Sequence, residues 1–239
     1  MVPLNVEWLR QAEEFNQIWK NRHQPPLVTS SWVHNEWAKG RTSYLTFLIS
    51  LGDRRLVDTI RRIQIRLSDY SCIDVFPQSY LHITVKELDA FLVSAKHFPD
   101  EYTEEDLPPL IEAAREKLSR FERFELRLEN LNNFKSTVCI EAHDGGAIRN
   151  MNGALLQIPG VRRLRNDHPR FLPHVSVAQY RSTEDYERLI EHLEQNRETK
   201  VGSLKVDSVK LVIVRLPVNG RFPKFRMLEE LRLEWPKRA

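Results

Sequence analysis

"LHITVKEL" at residues 81–88 and "PHVSVAQY" at 173–180 each place a histidine, one spacer, a hydroxyl residue and a valine inside what reads as a β-strand. Side chains at i and i+2 of a strand face the same way, their Cα atoms about 6.6 Å apart. His82 and Thr84 therefore share a face, as do His174 and Ser176, and Lys86, at i+4 from His82, falls on the same face. Ile83, Val85, Val175 and Val177 point the other way, into the layer where helices would cover a sheet. One such tetrapeptide arises easily by composition, whereas two of them 92 residues apart define a pair.

Working outward, an apolar strand at 43–51 leads into a helix at 53–69 with Leu56, Ile60, Ile63 and Leu67 at helical spacing. After the first motif strand comes a helix at 103–121, with a Thr103 cap and its start set by Pro108 and Pro109, then an alternating strand at 124–131. The second half repeats this order as strand 136–142, helix 145–158, strand 173–180, helix 183–196 and strand 203–216. The offset of 92 carries Phe47 onto Cys139 and His82 onto His174. An internal duplication follows from element order and spacing, with repeats at about 41–131 and 132–220 inside a single bilobal domain of 41–239. Two such units around a pseudo-twofold give an α+β bilobal fold with one cleft. Residues 1–40, with Trp8, Trp19, Trp32 and Trp37, read as a helical and loop extension packed on a lobe, its tryptophans acting as packing anchors.

With 239 residues, 41% hydrophobic and 29% charged, the chain is expected to be globular, and no apolar run approaches the length of a membrane span. The N-terminal stretch has no export signature, so a cytoplasmic protein, and a monomer, is expected. Cys72 and Cys139 have no metal-ligand spacing and read as reduced. A net charge of +3 is far from that of a protein that coats nucleic acid, so an anionic ligand must be met locally. Arg162, Arg163, Arg165 and Arg170 precede the second motif, and Arg170 is the first choice for a substrate contact, with Arg165 and Lys86 further candidates. Tyr80, Phe134, Phe171 and Phe222 are candidates for stacking a base. His34 and His143 lack a partner motif and are expected at the surface or at caps, and His23, His97, His168 and His192 likewise.

Two imidazoles and two hydroxyls converging across a twofold suit cleavage of a phosphodiester without metal or cofactor. One neutral imidazole takes a proton from the attacking oxygen and the opposing imidazolium gives one to the leaving oxygen. Both forms coexist near neutrality at the reference pKa of about 6.5. Thr84 and Ser176 then donate to the non-bridging oxygens. In these two motifs, "HITV" and "HVSV", the chain resembles the two-histidine (2H) phosphoesterase superfamily, which includes 2'-5' RNA ligase-like proteins and cyclic phosphodiesterases. "RFLPH" at 170–174 also resembles the family's lead-in, with a different spacing. The resemblance covers about residues 41–216. It implies two antiparallel-rich sheets flanking a central cleft with helices outside. It also implies metal-independent cleavage of 2',3'-cyclic phosphate or 2'-5' linkages on RNA ends or nucleotides, with His82 and His174 as acid–base pair and Thr84 and Ser176 as phosphate binders. Where many relatives make a Leu-Gly turn after the first motif, this chain runs on as "KELDAFLVSAKHFPDEY", which leaves the substrate open. A 2'-5' RNA ligase and a non-catalytic RNA-end binding module are the alternatives.

Overall fold

The computed structural model describes residues 4–28, 32, 36–218 and 222–235. His34 lies outside them. Among the described residues the strands are β1 (Ser43–Ser50), β2 (Ile73–Val75), β3 (His82–Leu92), β4 (Glu101–Tyr102), β5 (Phe124–Phe134), β6 (Thr137–His143), β7 (His174–Tyr180), β8 (Lys200–Val206), β9 (Ser208–Arg215) and β10 (Lys224–Arg232). Five helices accompany them: α1 (Leu4–Lys20), α2 (Arg54–Leu67), α3 (Leu107–Leu118), α4 (Ala147–Leu155) and α5 (Tyr186–Gln195). Local chemistry sets the helix starts. Asp53 accepts from the backbone N–H of Arg55 and Leu56 at the head of α2, and its apolar stripe is buried as the spacing predicts. Thr103 and Asp106 form a capping box before α3, with the two prolines in the first turn.

The strands run in the order β10-β9-β1-β3-β7-β6-β5-β8, with β2 on β7 and β4 on β3. This order is a palindrome about the β3–β7 junction, and that junction consists of one residue pair, Ile83 with Val175. The duplicated bilobal α+β fold is thus present, as two antiparallel half-sheets that meet at a single point. Sheet membership departs from a linear division of the chain. β5, which falls mostly in the first repeat, pairs with β6 and β8, while β9 pairs with β1. The run 203–216, expected as one strand, breaks at Asp207. Leu204 and Val206 face the main core before the break and Val209, Leu211 and Ile213 after it, a change of parity that one straight strand cannot make. The chain crosses between lobes there.

Helices exchange in the same way, α2 packing on β7 and β8 and α4 on β3. They cover the outer faces over a core that includes Ile83, Val85, Val175 and Val177. α1 is the exception, because it packs on β5 and β6 from the cleft side. Gln11 is fully buried there and exchanges hydrogen bonds with Asp144, and the Phe15 carbonyl accepts from Asn132. Further along, Trp32 packs with Tyr44 and Phe91 on the other lobe, and Trp37 donates to Asp89. The N-terminal extension therefore touches both lobes rather than one. His143, expected at the surface, is buried under it, bonded to Glu141 and stacked beneath Trp8, because α1 covers the face that β6 would otherwise expose. Cys72 and Cys139 are buried free thiols. Among the described residues no helix is long and apolar enough to cross a membrane.

Candidate active site

His82 and His174 open β3 and β7, and the antiparallel junction between these strands brings both rings into one cleft of about 650 Å³. The rings are held identically. Nδ1 of His82 lies 2.6 Å from the Tyr80 carbonyl, and Nδ1 of His174 lies 2.9 Å from the Leu172 carbonyl. A carbonyl only accepts, so each neutral ring carries its proton on Nδ1 and turns the Nε2 lone pair to the cleft. Nε2 of His82 accepts from the Thr84 hydroxyl at 3.2 Å. Ser176 lines the cleft too, and among the described residues it makes no such bond to His174. Tyr80 and Phe225 stand edge-on to the His82 ring at 5.0 and 4.9 Å, and Phe134 lies 4.4 Å from the His174 ring.

This apolar lining sets the protonation state. Burial, opposed by the hydrogen bond to Tyr80 and aided by the neighbouring His174, lowers the His82 pKa to about 4. Burial also holds His174 below its ordinary value. Both shifts favour the neutral imidazole over the mixed protonation expected near neutrality.

Beyond the hydroxyls the strands do not continue as a simple alternation. Phe47 pairs with Lys86 and Leu48 with Thr84, so Val85 is an extra residue in β3. Val138 pairs with Ala178 and Cys139 with Ser176, which makes Val177 the same extra residue in β7. Two equivalent β-bulges fall on the last residue of the two motifs, and the pairing equates Leu48, not Phe47, with Cys139. Each bulge reverses the parity of the residues beyond it. Lys86 therefore does not share the motif face as expected. It is fully buried on the helix side, 2.7 Å from the Asp167 carboxylate. Asp167 also accepts from Asn152 on α4 and from the backbone of Leu164, which ties down the loop carrying Arg170. Five residues after the histidines, Glu87 and Gln179 rejoin the cleft, paired across their strands with Thr46 and Thr137, which also line it. Desolvation raises the Glu87 pKa from its ordinary value, although the residue is exposed. Sequence reasoning passed over Glu87 and Gln179, although the 92-residue offset equates them.

Of the loop arginines, Arg170 lines the cleft, joined by Asn166. Arg165 is exposed elsewhere on the loop and is not brought to the site, while Arg162 pairs with Asp89 and Arg163 with the His168 carbonyl. Tyr80 reaches the cleft, but Phe76 and Phe225 stack on its ring at 4.6 and 5.0 Å. Its faces are taken, so it offers an edge and a hydroxyl rather than a stacking surface. Phe134 and Phe171 line the cleft, whereas Phe222 packs on Phe76. Ile18, Asn21, Gln24 and Trp32 of the N-terminal extension complete the wall. Among the described residues no group of three His, Cys, Asp or Glu side chains could hold a metal ion.

The model of the 2'-5' RNA ligase superfamily matches residues 52–215. A search of curated proteins finds no match to the sequence. Among solved structures, TT0787 of Thermus thermophilus superposes with a TM-score of 0.57 at 18% identity, covering 81% of this chain and 100% of that one. E. coli LigT complexed with 3'-AMP gives 0.55 at 15% identity, and LigT complexed with NADP+ gives 0.54 at 16%, each covering 81% of this chain and 98% of the other. At such identities the likeness is one of fold.

Proposed function

Because the chain belongs to the 2'-5' RNA ligase superfamily, we propose that it is a metal-independent phosphodiesterase acting on 2',3'-cyclic phosphate or 2'-5' linkages of RNA ends or nucleotides. The observation that carries this reading is the pair of histidines on equivalent strands of one cleft, each with Nδ1 on a backbone carbonyl and Nε2 turned to the cleft. E. coli LigT, which shares the fold, has been crystallised with 3'-AMP, and a nucleoside phosphate is carried over here as the ligand class.

In the proposed reaction a phosphodiester lies between the rings with its non-bridging oxygens toward Thr84, Ser176 and Arg170. Its negative charge raises the pKa of the nearby imidazoles, so that one of them holds a second proton when substrate is bound. The neutral ring removes a proton from water at Nε2 as the oxygen attacks phosphorus. The P–O bond to the leaving ribose oxygen breaks, and that oxygen takes the Nε2 proton of the other ring. The product is a phosphomonoester, with the protons exchanged between rings and restored through solvent. The hydroxyls hold the charge that develops on the phosphoryl oxygens.

The test is incubation with 2',3'-cyclic nucleotides, 2'-5' linked dinucleotides and cyclic-phosphate-ended RNA, followed by phosphorus NMR. A monoester resonance that appears undiminished in the presence of chelator is expected. Silence across the whole panel would end the proposal.

A further inference from the structure

Gln179 is only 6% exposed, lines the cleft, and has a side-chain oxygen with no hydrogen-bond partner among the described residues. A buried amide without a partner is unfavourable, and protein interiors rarely tolerate one. Its surroundings are otherwise satisfied. Asn133 bonds Tyr186 and the Arg22 carbonyl, and Asn21 accepts from Gln24. The missing partner therefore belongs to whatever occupies the cleft.

The chemistry of that occupant is set by place and charge. β3 and β7 are antiparallel, so the same five-residue step from each histidine leads toward opposite ends of the cleft, to Glu87 on one side and Gln179 on the other. The Gln179 end is bounded by Thr137, half-buried Phe134, and Asn21 and Gln24 of the N-terminal extension. A neutral, buried amide suits an uncharged group that offers a donor beside an acceptor, although Lys135 lines the same cleft. A nucleobase edge has that pattern, and an amide is the side chain that matches it two-for-two.

We propose that the Gln179 end of the cleft is a nucleobase subsite, built jointly by β7 and the N-terminal extension, in which the Gln179 amide reads the edge of the base. Asn21 and Gln24 lie outside the matched residues 52–215, so this wall belongs to the chain's own extension. The inference rests on the phosphodiesterase reading, because it takes the phosphate of the same ligand to lie between the histidines.

Steady-state kinetics on the four 2',3'-cyclic nucleotides and on base-free glycerol 1,2-cyclic phosphate provide the test. Gln179→Leu should raise KM at least tenfold for the preferred nucleotide, leave kcat within about threefold and leave the base-free substrate unchanged. Gln179→Glu, of the same size but lacking the donor, should reorder preference among bases, and thermal melts establish that both variants are folded. Equal loss on the base-free substrate would make Gln179 merely structural. Equal loss on all four bases would assign it to the ribose, and no loss would give it no role; each of these overturns the proposal. If the wild type turns over none of these compounds, the reaction fails but the subsite is still testable. The Gln179 side-chain amide resonance should then shift with nucleoside 3'-monophosphates and not with glycerol phosphate, and an unmoved resonance would overturn it.

Discussion

The half of the cleft that carries His82 and the half that carries His174 share a frame and differ in its furnishing. Both histidines bond a carbonyl two residues back, and both motifs end in a one-residue bulge at valine. From there they part. Thr84 bonds its histidine where Ser176 does not, Lys86 stands opposite Asp167 where the other strand has Ala178, and Glu87 answers Gln179. Backbone geometry is what duplication preserved. The side chains beyond the hydroxyls are where one half became a holder of the loop and the other a polar wall.

If the two rings are equal partners, His82→Ala and His174→Ala should each lower kcat/KM by about 10²–10⁴-fold, with the double variant little worse than either single one. Unequal losses, measured with a cyclic nucleotide, would break the equivalence. The largest structural asymmetry is Lys86. Lys86→Ala leaves Asp167 charged and buried and should cost about 3–5 kcal/mol in urea unfolding, whereas the other half already carries alanine in that place. A loss near zero would mean that the pair does not organise the loop. Next, Thr84→Ala and Ser176→Ala should each reduce kcat by about 10–100-fold. Only Thr84→Ala should also raise the pKa of a histidine, because it removes a hydrogen bond to the neutral form of His82.

A separate effect is in pH. With a folded pKa of about 4 against an ordinary 6.5, His82 takes up its proton in the unfolded chain first. Stability should therefore decline as pH falls from about 6.5 to 4, and His82→Ala should flatten that slope. Proton titration by NMR should place His82 well below 6.5 in the free protein and move it upward when inorganic phosphate is added. A midpoint near 6.5 without ligand would contradict the dry setting of the ring.

Much of this was legible in the residues. Helical spacing, the Thr103 cap and the paired motifs were enough to place the helices, the motif strands and the four side chains at the centre of the cleft. Lys86 was misplaced because a bulge is a backbone event with no residue type that demands it; Val85 reads as one more strand valine. Glu87 and Gln179 were hidden by the same parity error. Arg165 and Arg170 are indistinguishable by composition, and only the fold of the loop around Asp167 separates them. The exchange of β5 and β9 leaves no mark beyond the parity change at Asp207, since sheet membership depends on partners remote in the chain.

That exchange has its own consequence. Each half-sheet borrows its third strand from the other repeat, so a cut at the repeat boundary would yield two fragments, neither able to complete its own sheet. The halves are interlocked like clasped hands, and the distance between the histidines is governed by the folding of the whole chain at once.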